Sequence, residues 1–468
     1  MNPLRTSILV ALATLSVLAN EPALGAQIPV VGVPVPELAA FDTQMIQFAE
    51  ANNITASSLS VMRNGAIVFH HVYGWQDRER TKPLAPDSLF RIASISKPFT
   101  AAAVRKLIEG GLLKLDARVF SMGKPGAGIL DYAPFGVPDS RLSDITVEHL
   151  LQHQGGWDAG IAGDLTYSEV KIATAMGVSS PPGRENTVRY IMGQPLQFNP
   201  GSRYAYSNTG YLILGLIVEK VSGISFRDFV QSQLMSQDGF TLDDWGLGHT
   251  FADDCDPREP YYDDPTLVAN VFYPGKGGTP MVEAPYGGFD YEARMGQGGI
   301  VTKGPVILRF LDRFQVAGGN VGLPRLAPGG WWIAQTGSQP GVNSYAVQRG
   351  DGINYVLLFD KRPSSGLDYS AQMAARLDAL LSSGEIKKWP TNDVTKLTPH
   401  RPAISLGSNP AILTFPTEAG RYYRLQSSLD MLSWTNFREP FVGNGEMVVL
   451  TNSIPASGRR FFRLEVRQ

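Results

Sequence analysis

A serine and a lysine three residues apart, Ser94 and Lys97, are the residues of this 468-residue chain whose spacing most directly suggests chemistry. Residues at positions i and i+3 share one face of a helix, so the two side chains can meet. A serine hydroxyl is a poor nucleophile until a base removes its proton. Lysine can be that base when burial favours its neutral form. The pair therefore predicts nucleophilic catalysis that needs no histidine.

The Ser-x-x-Lys spacing occurs twice more, at Ser121 and at Ser168. Ser121 lies in a glycine- and proline-containing stretch that predicts a loop, and nothing around Ser168 suggests chemistry. After Ser94, by contrast, apolar residues recur at helical spacing until Gly110, which predicts a helix beginning at the motif. The alternative interpretation is that Ser94 only caps that helix and that Lys97 is a solvated charge.

A second motif, Tyr206-Ser207-Asn208, is the only Tyr-x-Asn of the chain. It lies between a turn-rich run and the apolar residues 211–218, which predict a helix. A tyrosine at the entrance of that helix can present its phenol to the serine. A nearby lysine ammonium would favour the phenolate, so Tyr206 can act as a base. The alternative is a surface tyrosine followed by an asparagine helix cap.

A third element is the run Gln335-Thr336-Gly337-Ser338, which precedes a predicted strand at 344–348. An extended segment with a bare glycine edge can hold a substrate backbone and offer an N–H group to an oxyanion. Taken alone, the run is only a turn before a strand.

The three elements, in this order and at this wide spacing, resemble the motifs of the serine β-lactamase and penicillin-binding protein superfamily. The tyrosine of the second motif resembles the class C-like group, which comprises class C β-lactamases, D-alanyl-D-alanine carboxypeptidases and family VIII esterases. Residues 145–156 resemble the helix of this family that leads into a glycine-containing turn, and Gly298-Gly299 resembles its glycine pair. The resemblance extends from about residue 40 to about residue 385.

The resemblance implies an acyl-enzyme mechanism without metal or organic cofactor. It implies that Ser94 is the nucleophile and that Lys97 and Tyr206 form the base system. It also implies that Asn208 orients Lys97 or the substrate. Backbone N–H groups of Ser94 and Ser338 are expected to stabilise the oxyanion, as the family implies.

The third motif departs from the family pattern at Gln335. The family usually has Lys or His before Thr-Gly, or a Trp-x-Gly variant in some esterases. A cationic side chain there would bind the carboxylate of a β-lactam or of a D-alanine terminus, and charge-assisted hydrogen bonds are about twice as strong as neutral ones. Gln335 offers only a neutral amide, so we expect it to line the substrate pocket with Thr336 and Gly337 and to favour a neutral ester or amide.

Other chemistries have little support in the sequence. His149 and His153 are four residues apart, but no third metal ligand lies nearby in sequence, so we expect structural roles for both. Acidic pairs such as Asp253-Asp254 lack the spacing of a calcium loop. The net charge is −2 and no basic stripe is present, which argues against nucleic-acid binding.

The start of the chain predicts a secretory signal peptide at residues 1–26. Arg5 supplies its positive charge, residues 8–19 are apolar, and Leu24-Gly25-Ala26 is a suitable cleavage site. The apolar run is too short to cross a bilayer comfortably, and no other segment is a transmembrane candidate. Cys255 is the only cysteine, so no intrachain disulfide is possible. We therefore expect an exported, soluble protein of the periplasm or the extracellular space.

The predicted fold of residues 27–390 is α/β: an antiparallel sheet flanked by helices, with an inserted helical lobe. Asn64-Gly65 and residues 350–352 each predict a hairpin, and residues 35–51 and 370–381 predict helices near the two ends. The family resemblance implies the same arrangement, with the site in the cleft between the two lobes. Residues 240–290 are expected to wall the cleft or to form a surface excursion, and their aromatic side chains include Tyr261, Tyr262, Phe272, Tyr273 and Tyr286.

The composition changes after residue 390. Residues 391–402 predict a linker, and residues 403–468 alternate apolar and polar residues in short runs that predict a small β-sandwich. Such a module can attach an enzyme to a cell-wall or glycan surface, or it can act as a spacer.

The sequence as a whole predicts a secreted serine hydrolase that acts on carboxylic esters. Two alternatives remain within the same fold: a D-alanyl-D-alanine carboxypeptidase or D-aminopeptidase, and a β-lactamase. A third alternative is a homologue that binds a ligand without turnover.

Overall fold

The computed structural model describes residues 28–325 and 332–395, followed by the segments 411–417, 420–428, 435–444, 447–452 and 461–467. The expected signal peptide and the second half of the expected linker lie outside the described residues.

Residues 28–395 contain long strands near both ends of the range, with helices and short strands between them. The strands are β1 (Val30–Gly32), β2 (Ala56–Arg63), β3 (Ala66–Gly74), β4 (Phe90–Arg91), β5 (Trp245–Leu247), β6 (Leu267–Ala269), β7 (Met281–Glu283), β8 (Ile300–Thr302), β9 (Trp332–Gln339), β10 (Val342–Arg349) and β11 (Ile353–Phe359). The helices are α1 (Ala39–Asn52), α2 (Ser96–Glu109), α3 (Val147–Leu151), α4 (Ala159–Ala162), α5 (Glu169–Met176), α6 (Gly183–Met192), α7 (Asn208–Ser222), α8 (Phe226–Val230), α9 (Gly304–Arg313) and α10 (Tyr369–Ser382).

The two ends of this range build one antiparallel sheet, in the order β1-β3-β2-β11-β10-β9. The predicted hairpin at Asn64-Gly65 joins β2 to β3, and both of its residues have left-handed backbone angles, with φ of 50° and 81°. Asparagine and glycine are the residues that adopt this conformation most easily, and it matches the twist of a two-residue hairpin. The chain between β3 and β9 supplies the helical lobe.

Helices cover both faces of the sheet. Successive residues of β11 point to opposite faces: Leu357 and Phe359 pack with α1 and α10, whereas Val356 and Leu358 pack with the cluster that contains α2, α7 and α9. The predicted α/β class, with an antiparallel sheet and an inserted helical lobe, is therefore confirmed.

A second, small sheet with the order β4-β8-β5 lies next to the main one. Phe90 and Arg91 pair with Thr302 and Val301, and the chain then turns directly into α2. This pairing fixes the start of α2, the helix that carries the Ser-x-x-Lys motif.

The C-terminal segments are strands, in agreement with the predicted all-β composition. They are β12 (Ala411–Pro416), β13 (Tyr422–Ser428), β14 (Thr435–Asn436), β15 (Phe441–Val442), β16 (Met447–Asn452) and β17 (Phe461–Arg467). β12 pairs with β16, whereas β13 pairs with β14, β15 and β17. Arg424 reaches back to Asp87 of the larger part, with 3.4 Å between guanidinium and carboxylate.

Within the described ranges, no single helix is long and apolar enough to cross a membrane. The bent pair formed by Asn208–Ser222 and Phe226–Asp238 would suffice together, by length and composition only.

The packing of α2 against α9 predicts a large loss of stability for Phe99→Ala. Phe99 is fully buried, and its ring stacks on Phe310 with 3.9 Å between the ring centroids. Because the substitution leaves a cavity in a packed core, we expect the free energy of unfolding to fall by about 3–5 kcal/mol. Urea denaturation of both proteins measures the difference. Leu112→Ala, at an exposed position, is the control and should change the free energy of unfolding by less than about 0.5 kcal/mol. Equal losses in the two variants would contradict the prediction.

Candidate active site

Ser94 lies in a short 3₁₀ turn, Ala93–Ile95, between β4 and α2. The residue before it, Ala93, has a left-handed φ of 46°, which is unfavourable for a residue with a Cβ atom. Hydrogen bonds hold this turn from two sides. The Ile92 N–H donates to the carbonyl of Ile300 at 3.1 Å, and the Ser344 hydroxyl donates to the carbonyl of Ile92 at 2.9 Å. The turn that carries the half-buried Ser94 is thus held at Ile92 by β8 and by β10.

Lys97 lies one helical turn after Ser94, as the motif predicts, and its side chain is buried. Its Nζ donates to Ser94 Oγ at 3.0 Å and to the carbonyl oxygen of Gln297 at 2.6 Å. Burial lowers the pKa of Lys97 to about 7, although the nearby Asp164 carboxylate opposes the shift. The lysines of the two other Ser-x-x-Lys matches, Lys124 and Lys171, are exposed. Of the three matches, the first is the one whose lysine is buried against its serine.

Tyr206 approaches Ser94 from the other side. Its hydroxyl donates to Ser94 Oγ at 2.7 Å, and Lys97 Nζ lies 4.9 Å from the centre of its ring. Tyr206 as a whole is 40% exposed, but the removal of water around its hydroxyl raises the pKa of Tyr206 above its ordinary value. The expectation that the lysine favours a phenolate is therefore not met, because the loss of hydration outweighs the hydrogen bond to Ser94, which lowers the pKa. Tyr206 remains a phenol, and Lys97 is the group that titrates near neutrality.

Asn208 is the first residue of α7, and the cap of that helix is Ser207, whose Oγ accepts the N–H of Gly210. The Asn208 amide donates to Asp164 Oδ2 at 2.6 Å. The other carboxylate oxygen of Asp164 accepts both the N–H and the hydroxyl of Thr166. Asp164 therefore fixes the asparagine side chain. Asp164 was not among the residues predicted from the sequence, although aspartate is a preferred residue immediately before a helix.

The third motif lies on β9, at the edge of the main sheet. A Cβ atom on Gly337 would lie 2.3 Å from the carbonyl oxygen of Ile92 and 2.3 Å from the hydroxyl of Ser344. Only glycine lets the strand come this close to the turn that carries Ser94. Gln335 donates its amide to the neighbouring Thr336 carbonyl at 2.8 Å. Ser338 follows Gly337 on the same strand and pairs with Asn343 of β10.

A cleft of about 530 Å³ opens beside these groups. It is lined by Lys97, Pro98, Leu151, Gln152, His153, Tyr204, Tyr206, Tyr211, Ala317, Gly318, Gly319, Val321, Ala334, Gln335 and Thr336. Lys97 is the one lysine or arginine of this lining, and the polar groups are otherwise amides, phenols, a hydroxyl and an imidazole. The sequence did not predict that α3, residue 204 and residues 317–321 line the cleft.

The aromatic residues of the loop-rich stretch 240–290 lie elsewhere. None of Tyr261, Tyr262, Phe272, Tyr273 and Tyr286 lines this cleft. Instead, the Tyr262 and Tyr286 rings lie within 6 Å of the buried Arg91 guanidinium, and the Tyr262 hydroxyl accepts the N–H of Arg91 at 2.8 Å. The expectation that this stretch walls the cleft is therefore wrong for these side chains, and two of them, Tyr262 and Tyr286, instead pack on Arg91 of the strand before Ser94. No group of three or more metal-binding side chains occurs among the residues that the structure covers.

Comparisons with curated proteins detect relatives of several activities. Penicillin-binding protein 4* of Bacillus subtilis (strain 168) is 31% identical over 173 residues, which are 36% of this chain and 33% of that protein. Esterase EstB of Burkholderia gladioli is 32% identical over 193 residues, which are 40% of this chain and 45% of the esterase. The chain thus spans less than half the length of these curated relatives.

Solved structures share the fold. The D-amino acid amidase from Ochrobactrum anthropi SV3 has a TM-score of 0.53 at 19% identity, with 75% of this chain and 99% of the amidase covered. The octameric penicillin-binding protein homologue from Pyrococcus abyssi has a TM-score of 0.52 at 21% identity, with 91% and 95% covered. The Beta-lactamase family model matches residues 41–356, which is more than half of the chain. From the fold, the arrangement of the three motifs and this match, the chain belongs to the Beta-lactamase family.

Proposed function

We propose that this protein cleaves uncharged carboxylic esters through an acyl-enzyme on Ser94. The family comprises serine hydrolases, and one curated relative is an esterase. The observation that carries the proposal is the position of Ser94 Oγ, which lies 3.0 Å from Lys97 Nζ and 2.7 Å from the Tyr206 hydroxyl. A serine between a titratable amine and a phenol has both a proton acceptor and a proton donor at hand.

The proposed reaction begins when the neutral Lys97 amine takes the proton of Ser94 and Oγ attacks the ester carbonyl. Backbone N–H groups of Ser94 and Ser338 would stabilise the oxyanion. As the ester C–O bond breaks, the leaving alkoxide takes the phenolic proton of Tyr206, which regains a proton from Lys97. In the second half of the reaction, water attacks the acyl group, and the water proton passes to the pair formed by Lys97 and Tyr206. The bond between the acyl group and Ser94 then breaks, and Ser94 Oγ takes a proton back from this pair.

The preference for an uncharged substrate rests on the lining of the cleft. A substrate carboxylate is best bound by a lysine or an arginine. Lys97 is the one such side chain in the lining, and it is already bound to Ser94 and to the Gln297 carbonyl. The amide of Gln335 is bound to the adjacent Thr336 carbonyl. These features disfavour a β-lactam or a free D-alanine terminus, which are the alternative substrates, relative to a neutral ester.

Two further assignments complete the proposal. We place the mature protein outside the cytoplasm, because residues 1–26 have the composition of a signal peptide. We propose that the C-terminal strands either contact a cell wall or a glycan or act as a spacer. A pull-down on polysaccharide separates these two roles, when the full-length protein is compared with a protein that lacks residues 403–468.

Hydrolysis of p-nitrophenyl butyrate tests the nucleophile. Ser94→Ala should lower kcat/KM by at least about 1000-fold, because no other hydroxyl lies between Lys97 and Tyr206 in the geometry described above. Ser168→Ala is a matched control, since it removes the serine of another Ser-x-x-Lys spacing whose lysine is exposed, and it should retain full activity. Equal rates in the wild type and in Ser94→Ala would contradict the proposal, as would the absence of activity in both.

The titration of Lys97 predicts a pH dependence. Only the neutral amine accepts a proton, and burial lowers the pKa of Lys97 to about 7, so kcat/KM should rise as the pH increases through about 7. The Asp164 carboxylate favours the ammonium form and thus raises the pKa of Lys97. Asp164→Asn should therefore move the midpoint of the profile to lower pH.

The control for this shift is Asp158→Asn, because Asp158 lies in the same segment but pairs with Arg203 at 2.6 Å. Its midpoint should equal that of the wild type. A midpoint that moves to higher pH in Asp164→Asn, or that moves equally in both variants, would show that Lys97 is not the titrating base.

A further inference from the structure

His153 lies at the end of the turn that follows α3, and the mechanism above assigns it no role. From the sequence, we expected structural roles for both His153 and His149. The two histidines have different surroundings in the fold. His149 completes the cap of α3 through Thr146, whereas His153 lines the cleft and contacts the segment that carries Tyr206.

Three contacts from His153 surround Tyr206. The carbonyl oxygen of His153 accepts the N–H of Ala205 at 2.9 Å. Its Nδ1 accepts the N–H of Ser207 at 3.0 Å. Its ring stacks on the Tyr206 ring, with 4.7 Å between the centroids and 28° between the planes. One residue therefore holds the residue before the tyrosine, the residue after it and the phenol ring itself.

The hydrogen bond from Ser207 fixes the tautomer of His153. Since Nδ1 accepts a backbone N–H, the ring proton is on Nε2. Burial, reinforced by the charge of Lys97, lowers the pKa of His153 to about 3. The ring is thus neutral at any pH at which Lys97 titrates. An imidazolium could not accept the Ser207 N–H and would repel the Lys97 ammonium.

The backbone of His153 supports the same conclusion. Its φ of 55° is left-handed, a conformation that costs free energy for most residues other than glycine. Strain of this kind persists where the surrounding structure holds it, and it is common at functional sites. Here the conformation directs both the carbonyl and the ring towards the Tyr206 segment.

We infer that His153 is a positioning residue, which holds the Tyr206 hydroxyl against Ser94 Oγ through its stacking contact and its two hydrogen bonds to the flanking backbone. The inference rests on the proposed function in that it takes Tyr206 to be part of the reaction. It assigns no proton transfer to His153.

Single substitutions separate the contacts. His153→Asn keeps a side-chain acceptor and tolerates a left-handed backbone, but it loses the ring. His153→Phe keeps the ring and loses the acceptor. His153→Ala loses both. Because misplacement of a catalytic group by about 1 Å costs about 100-fold in rate, we expect His153→Ala to lower kcat about 100-fold with little change in KM, and each of the other two variants to retain more activity.

A double-mutant cycle with Tyr206→Phe distinguishes positioning from a general loss of structure. If His153 acts through the Tyr206 hydroxyl, His153→Ala should cost little further activity once that hydroxyl is gone. His149→Ala, which removes a capping contact of the same helix, is the control, and its effect should be the same in both backgrounds. An equal fold-loss for His153→Ala in the presence and absence of the hydroxyl would overturn the inference.

Two readouts keep this test separate from the ester proposal. The rate of Ser94 labelling by a fluorophosphonate probe replaces hydrolysis in the same cycle, so a wild type that is labelled but cleaves no ester would refute the ester substrate and still test His153. The ¹⁵N spectrum of the imidazole needs no reaction at all. We expect a neutral ring protonated at Nε2 at neutral pH, and an Nδ1-protonated ring or an imidazolium would overturn the inference.

Discussion

The burial of one amine is the constraint on which the site depends. An ammonium removed from water is unfavourable unless it is paired or loses its proton. Lys97 has a serine hydroxyl and a main-chain carbonyl as partners, and the Asp164 carboxylate acts on it from a distance. This balance leaves the amine near its midpoint at neutral pH. The hydrogen bond that partners the buried Lys97 amine also holds Ser94 Oγ 3.0 Å from that amine.

The close approach of two backbone segments defines the other wall of the site. The absence of a Cβ atom at Gly337 lets β9 lie against the Ile92 carbonyl, and the Ser344 hydroxyl donates to the same oxygen. The edge of the main sheet and the turn that presents the nucleophile are therefore one rigid unit. A shift of the sheet at this position would therefore also shift Ser94.

Short sequence patterns correctly predicted the structural features that depend on residues close together in the chain. The Asn64-Gly65 hairpin, the shared helical face of Ser94 and Lys97 and the helix after Tyr206 all follow from short-range rules of spacing and backbone conformation. Interactions between residues that are distant in sequence could not be predicted by such rules. Asp164, His153 and the aromatic residues around Arg91 act on residues that are far away in sequence. The failure of the phenolate expectation has the same origin, because the burial that raises the pKa of Tyr206 is a property of the assembled site.

The topology of the main sheet has a consequence for biosynthesis. Strand β2 lies next to β11, and the chain between Arg63 and Ile353 must be made before the two can pair. At ordinary elongation rates of about 5–20 residues per second, synthesis of that interval takes about 15–60 s. Contacts of such long range also slow folding after release. The serine and its lysine therefore emerge early, but β9 and its neighbours, which complete the cleft, emerge only near the end, so the nascent chain contains the nucleophile long before it contains a working catalytic centre.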